Sequence, residues 1–193
     1  HKRFLPNYGV FDEARYFRAG DSPMVLEVNG TRIGLAVCED IWVSAGPLTQ
    51  LADDPPGMLL VLNGSPYERN KDDVRLGLCA RRARDLGCTV AYVNMWGGQD
   101  ELVFDGDSLV VGPQGELIAR APQFVDHILV TDLDLPDGEA PPDVSLPSRA
   151  HDDTAGPSVA EPLSDAREVH RRRVTGLGDY VRKCGFSRAV AKH

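Results

Sequence analysis

The stretch Gly34-Leu35-Ala36-Val37-Cys38-Glu39-Asp40-Ile41-Trp42 constrains the fold of this chain more than any other. A small, mostly apolar run stops at a thiol, and two acids follow at once. This is the pattern of a buried strand that delivers a side chain to a sharp turn at its carboxyl end, where strained backbone lifts a reactive atom above the sheet. A cysteine that only fills space sits more often inside an apolar run than at its polar exit. The segment by itself leaves both readings open, nucleophile and core thiol.

The neighbouring segments supply the rest of an α/β layered domain with a mixed sheet. Residues Met24 to Val28 and Thr31 to Val37 read as strands, and Asn29-Gly30 between them is a strong hairpin signal because both residues tolerate positive φ. A short helix is expected within Ser44 to Ala52. Met58 to Leu62 is nearly all apolar, as in a strand buried on both faces. Glu68 to Leu86 reads as a helix with Val74, Leu78, Cys79, Ala83 and Leu86 on one stripe, stopped by Gly87. Thr89 to Val93 is the next strand. Ser108 to Val111 and Glu116 to Ala119 form a second hairpin around Gly112-Pro113-Gln114-Gly115, and Ile128 to Leu133 is a last strand. Leu135 to Pro162 is rich in Pro, Asp, Ser and Ala and reads as a linker. Ser164 is placed to cap a final helix with Val174, Leu177, Val181 and Cys184 at helical spacing; Gly185 ends it, and Phe186 to Val190 reads as the opening of a strand.

At 193 residues the chain suits one domain, or one domain and part of another. Its formal charge of -8 argues against nucleic acid or an anionic membrane as partner. No apolar run approaches the roughly 20 residues that span a bilayer. The four cysteines show no CxxC pairing and no metal-ligand spacing, so free thiols in a reducing compartment are expected. Cys79, Cys88 and Cys184 are expected in or near the core. The chain opens on His1 rather than Met and closes on Ala191-Lys192-His193, so both ends read as cuts in a longer chain, and a targeting segment upstream stays open.

Three further segments carry polar chemistry. Lys2 precedes Pro6-Asn7-Tyr8-Gly9-Val10-Phe11-Asp12, where aromatics, Pro and Gly alternate with polar groups as in a shaped loop. Asn63-Gly64-Ser65-Pro66-Tyr67 closes a strand and could place Ser65 at the same sheet edge, but by itself it reads first as a plain turn. Gly97-Gly98-Gln99-Asp100-Glu101, leading to Phe104-Asp105-Gly106-Asp107-Ser108, reads as a ligand loop or a tight acidic loop. No histidine pairs convincingly with Cys38 as a base. Neither G-x-x-x-x-G-K-[ST] nor G-x-G-x-x-G occurs. Arg171-Arg172-Arg173 reads as a solvated helix face.

Taken in order, Lys2 through Tyr16-Phe17, the Cys38-Glu39-Asp40-Ile41-Trp42 block, Asn63-Gly64-Ser65-Pro66 and Gly97 to Ser108 resemble one family. It is the glutaminase domain of the glutamine-dependent NAD synthetases, within the nitrilase (carbon–nitrogen hydrolase) superfamily. The tail, notably Gly176-Leu177-Gly178-Asp179-Tyr180-Val181 and Gly185-Phe186, resembles the junction into that family's synthetase domain. The resemblance implies an incomplete nitrilase-like α-β-β-α sandwich over residues 1–135, a linker over 136–162 and the start of an ATP-pyrophosphatase-type α/β domain over 163–193.

It also implies a Glu-Lys-Cys triad in which Cys38 is the nucleophile and Lys2 the lysine. The general-base glutamate of the family would precede His1, and none of Glu13, Glu27 or Glu39 stands in its place. The backbone N–H of Glu39 is the implied oxyanion donor; Tyr8, Glu39, Ser65 and Arg69 are the implied glutamine contacts. No metal is expected at this site and no cofactor for glutamine hydrolysis. ATP, Mg²⁺ and deamido-NAD belong to the synthetase part, whose Ser-Gly-Gly-x-Asp-Ser motif is absent from this sequence. A cytoplasmic enzyme is expected, homo-oligomeric at full length, contacting neither nucleic acid nor membrane, with weak or no activity from these 193 residues alone. The alternatives are another nitrilase-superfamily amidase, or a non-catalytic remnant that binds glutamine or a partner.

Overall fold

A computed structural model describes residues 2–44, 46–137, 144–146, 155–188 and 190. Expectations for His1, for residues 138–143 and 147–154 of the linker, for Ala189 and for Ala191-Lys192-His193 lie outside the described residues.

The Asn29-Gly30 signal is realised. Asn29 and Gly30 have φ of 54° and 81°, the left-handed pair that matches strand twist. They join β1 (Met24–Val28) to antiparallel β2 (Thr31–Val37), with Val28 opposite Thr31. β3 (Met58–Asn63) and β4 (Thr89–Asn94) follow in parallel with β2. The helix α1 (Pro47–Leu51) lies between β2 and β3, and α2 (Lys71–Leu86) crosses from β3 to β4. A hairpin of β5 (Trp96–Gln99) and β6 (Leu102–Asp105) stands as its own two-stranded sheet. β7 (Leu109–Val111) and β8 (Leu117–Arg120) then return antiparallel to the main sheet beside β4, with a bulge at Val110/Val111. β9 (Val144–Leu146) pairs parallel with β1, giving the order β8-β7-β4-β3-β2-β1-β9. The last helix is α3 (Asp165–Lys183).

Alternation along β3 divides the two faces of the sheet. Leu59 and Val61 are fully buried with Leu78, Cys79, Ala83 and Leu86 of α2 and with Val90 and Tyr92 of β4. Each of these Val and Leu side chains contributes about 1.5–3 kcal/mol by leaving water. The opposite face holds a smaller cluster, Ala91, Val110 and Ala119, with Leu129 and Leu133 laid over it, while Leu62 and Val93 stay half exposed. The chain around 128–133 is therefore not the strand expected there. Leu129 and Leu133 pack flat on the sheet face instead of joining an edge.

Other expectations need correction. Val74 is exposed, and the buried face of α2 includes Arg75 and Arg82, whose charges are met by partners on other elements. Cys184 is exposed rather than in the core, whereas Cys79 and Cys88 are buried. Residues Phe186 to Val190, where described, form no strand, and Ser164 holds the N-cap position of α3 without a side-chain cap bond. α3 packs on β5 and β6 and buries two acids, Glu168 and Asp179, in place of the apolar stripe: Val174, Leu177 and Tyr180 face outward. Of the expected linker, β9 joins the sheet, and Ser158 to Ala160 runs along β8 through Arg120 N–H to Ser158 O at 2.9 Å and Ala160 N–H to Arg120 O at 3.0 Å.

Candidate active site

Because β2, β3 and β4 run parallel, the segments that leave their carboxyl ends meet at one edge of the sheet, where open α/β sheets place ligands. Cys38 follows β2, Gly64-Ser65 follows β3 and Met95 follows β4. Together with the loop that carries Lys2 and Tyr8, they line a cleft of about 500 Å³, a size that suits a small polar molecule.

Cys38 opens a single 3₁₀ turn, Cys38–Ile41, with φ of 49° after an extended Val37. Positive φ at a residue with a side chain is a strained placement that persists only when surroundings over-determine it. Two contacts do so here. Arg82 of α2, itself buried, donates Nε–H to the Ile41 carbonyl at 2.8 Å and a second N–H to the Val43 carbonyl at 3.0 Å. Asp40, 1% exposed, accepts the backbone N–H groups of Arg3 (3.1 and 3.2 Å) and Phe4 (2.8 Å). Asp40 thereby fastens the Lys2 segment to the turn that carries the thiol. The Glu39 N–H lies at the start of this turn, where amides have no acceptor within the helix.

The thiol is half-buried, and desolvation pushes its pKa up. The Gly64 backbone N–H and the Lys2 ammonium pull it down, while Glu39 and Glu13 oppose them. The Lys2 Nζ is held by both oxygens of Glu13, at 2.7 and 2.5 Å. Glu13 thus lines the same cleft as the lysine's partner, a role that sequence reasoning did not give it; the usable signal was an acid within the shaped loop that follows Lys2. Tyr8 donates its hydroxyl to Glu39 Oε2 at 3.0 Å, and desolvation followed by that acid pushes the phenol up to about 12. It is a neutral donor at any ordinary pH.

Ser65 is 4% exposed at the cleft wall, its N–H donated to Asn94 Oδ1 at 2.9 Å. Arg69 is set elsewhere: it is exposed, pairs with Asp165 of α3 at 2.9 Å and does not line the cleft. Besides Lys2, the cleft is lined by Lys71, bonded to Glu68 at 2.6 Å with its ammonium 6.0 Å from the Trp42 ring centre. The Gly97-Gly98 segment forms the β5–β6 hairpin, which contributes Phe104 to the cleft and docks α3 through Gly98 N–H to Asp179 at 2.6 Å. Among the described residues no group of three or more His, Cys, Asp or Glu side chains could hold a metal ion, and no helix is long and apolar enough to cross a membrane.

A cysteine at a strained strand end, with a paired lysine beside it, makes this cleft the candidate active site of a mixed α/β nitrilase-like fold. The carbon–nitrogen hydrolase profile matches residues 1–142, and the chain belongs to that family. It is similar to a glutamine-dependent NAD(+) synthetase of Aquifex aeolicus, 40% identical over 98% of this chain and 36% of that protein. Among solved structures, a glutamine-dependent NAD+ synthetase from Acinetobacter baumannii in complex with ADP superposes with a TM-score of 0.77 at 35% identity, over 96% of this chain and 32% of the other. An amidase mutant from Nesterenkonia sp. AN1, with the acetamide moiety of fluoroacetamide added at its active-site cysteine, superposes with a TM-score of 0.52 at 31% identity. That match covers 63% of this chain and 44% of the other. The chain spans about a third of the length of the synthetases it matches.

Proposed function

We propose that this chain is the glutaminase part of a glutamine-dependent NAD synthetase, releasing ammonia from glutamine through a thioester on Cys38. The observation that carries this reading is the reach of the likeness. Similarity to the synthetases runs over 96–98% of the chain and so includes α3, whereas similarity to the amidase stops at 63%.

The chemistry follows from the groups in the cleft. Cys38 Sγ attacks the side-chain amide carbonyl carbon of glutamine, and the oxygen gains negative charge. The Glu39 N–H and the Lys2 ammonium are placed to receive that charge; losing one such donor typically costs about 3–4 kcal/mol of transition-state stabilisation. The C–N bond breaks, ammonia leaves with an added proton, and water hydrolyses the γ-glutamyl thioester to glutamate and free thiol. The resemblance assigns proton transfer to a glutamate upstream of His1. Within these residues Glu13 holds Lys2 in register. Glu39 and Tyr8 suit the α-ammonium of glutamine, and Ser65 its polar edge. Lys71 lines the cleft whereas Arg69 pairs with Asp165, which supports Lys71 as the cation for the α-carboxylate.

In the whole protein, the half-exposed Leu62 and Val93 face would meet the second sheet of an α-β-β-α sandwich, and a synthetase domain would follow α3. That domain would use ATP with Mg²⁺ and the released ammonia to amidate deamido-NAD. Among the described residues no group of three or more His, Cys, Asp or Glu side chains could hold a metal ion, and glutamine hydrolysis passes through neither nucleotide. A cytoplasmic homo-oligomer completes the reading.

Ammonia release from glutamine by the full-length native protein tests it, with and without ATP and deamido-NAD. Cys38→Ala is expected to abolish glutamine-dependent NAD formation and leave formation from added ammonia intact. Full glutamine-dependent activity in that variant would overturn the assignment.

A further inference from the structure

The inner wall of the cleft is set by a buried ion pair that touches neither the thiol nor the lysine. Arg75 of α2 and Asp105 at the end of β6 have side chains 0% and 1% exposed. One guanidinium arm donates to both Asp105 oxygens, at 2.8 and 2.7 Å. The other arm donates to the Ser65 carbonyl at 2.9 Å and the Pro66 carbonyl at 3.2 Å. Asn94 closes on the same peptide from β4: its Oδ1 accepts the Ser65 N–H at 2.9 Å, and its amide donates to the carbonyls of Ser65 at 3.2 Å and Gly106 at 3.0 Å. Ser65 is thus gripped at both its N–H and its C=O.

One residue upstream, Gly64 lines the cleft with Cys38, and its backbone N–H is one of the groups that pull the thiol down. The Asn63 carbonyl, in the same peptide plane as that N–H, accepts the Met95 N–H at 3.1 Å. A plane held at Asn63 and a fixed Ser65 peptide leave the Gly64 amide little freedom to turn. Packing alone does not call for an ion pair here, since a well-fitted apolar pair is often as stable as a buried one. Arg120–Asp107 is a second buried pair and offers the contrast: it reaches Asp72 but no residue of the cleft wall.

We propose that Arg75, Asp105 and Asn94 are positioning residues that grip Ser65 at its N–H and C=O and so hold the adjoining Gly64 N–H in the cleft wall that faces Cys38. The proposal rests on Cys38 being the nucleophile. The other groups that bias the sulfur are Lys2, which favours the thiolate, and Glu13 and Glu39, which oppose it. Tyr8 and Tyr92 stand close and, with phenols pushed up to about 12 by burial, stay neutral. Glu68 and Lys71 at the cleft are paired to each other. None of these is substituted in the test, and loss of the Arg75 charge pushes the Tyr92 phenol further up, so it stays neutral.

In the full-length native protein, Arg75→Met together with Asp105→Leu removes both charges at once and leaves neither buried alone. Alkylation of Cys38 by iodoacetamide, followed by peptide mass from pH 6 to 10, reads the thiolate without any substrate. The profile is expected to move to higher pH, with the rate at pH 7 falling about tenfold, equivalent to about 1.4 kcal/mol. Asn94→Ala is expected to shift it in the same direction and serves alone if the double variant does not fold. Arg120→Met with Asp107→Asn is expected to leave the profile in place. An unchanged profile in folded clamp variants, or an equal shift in the Arg120/Asp107 variant, overturns the proposal. Because alkylation involves no glutamine, such a failure leaves the glutaminase assignment standing, and a failed ammonia assay leaves the clamp standing.

Discussion

Asp40→Ala should do more damage than any other single change near the cleft that spares Cys38 and Lys2. Its carboxylate is 1% exposed and is the acceptor for two backbone N–H groups, those of Arg3 and Phe4. Hydrogen bonds to a charged group contribute about 1.5–3 kcal/mol each, and buried donors left unpaired lose that in full. Two such bonds give about 3–6 kcal/mol, and the lower end applies because the contacts are part-buried and water can reach them. With a urea slope of about 2 kcal/mol/M, the unfolding midpoint should fall by about 1.5 M. Asp40→Asn keeps one acceptor oxygen for the Phe4 N–H and should lose less than half as much. Function should fall further than stability, because the segment that Asp40 fastens carries Lys2 and Tyr8. At a temperature where the variant is still folded, kcat/KM for glutamine in the full-length protein should drop by about 100-fold or more. A midpoint within 0.5 M of the parent, with activity unchanged, would refute the view that Asp40 holds the lysine loop to the nucleophile turn.

Lys71→Ala should raise KM for glutamine about tenfold or more through loss of a charge-assisted contact, while Arg69→Ala, which removes an exposed pair, should change it less than about twofold; steady-state kinetics with glutamine distinguishes them. Burial pushes the thiols of Cys79 and Cys88 up to about 12. Unfolded thiols ionise near 8.5 while these keep their protons, so their stabilising effect is complete below pH 8 and is lost as pH rises toward 12. Urea midpoints measured from pH 8 to 10 should fall, by about 2 kcal/mol per thiol at pH 10, and Cys79→Ala should flatten part of that slope. Timed maleimide labelling should modify exposed Cys184 first and leave Cys79 and Cys88 protected until the protein unfolds.

What could be read in the sequence was what short-range chemistry determines. The Asn29-Gly30 hairpin and the Cys38 turn are local: the first shows the positive φ that its residues suggested, and the second shows strained backbone at the sharp turn expected there. The buried arginines were illegible for the opposite reason. Arg75 meets Asp105 thirty residues away, and Arg82 meets Ile41 forty-one residues away, so along the helix both look like solvated charges. The Arg69 and Lys71 placements turn on a single backbone angle. Asn70 has φ of 61°, and a left-handed residue between two cations sends one side chain to α3 and the other into the cleft. No residue type at position 69 or 71 announces which is which.

α3 carries the same argument to the scale of a whole element. Spacing placed Val174, Leu177, Val181 and Cys184 on one stripe, and an apolar stripe ordinarily marks the buried face. Here burial follows hydrogen bonding instead. Glu168 receives the Gln123 amide at 2.6 Å and the Tyr67 hydroxyl at 3.2 Å, and Asp179 receives the Gly98 N–H and the Arg182 guanidinium. Lys183 adds a bond to the Gly98 carbonyl at 2.6 Å. Tyr67 follows the gripped Ser65-Pro66 peptide directly, and its own N–H donates to Val103 of β6 at 2.8 Å. The helix is thus joined by polar contacts to two segments that border the cleft, the 64–71 loop and the β5–β6 hairpin. Polar contacts of this kind hold a helix at defined points without consuming its apolar face. Val174, Leu177 and Tyr180 stay exposed as a result, and the amphipathic rule misassigns the helix because it counts apolar spacing and not the unpaired donors that Gly98, Gln123 and Tyr67 present.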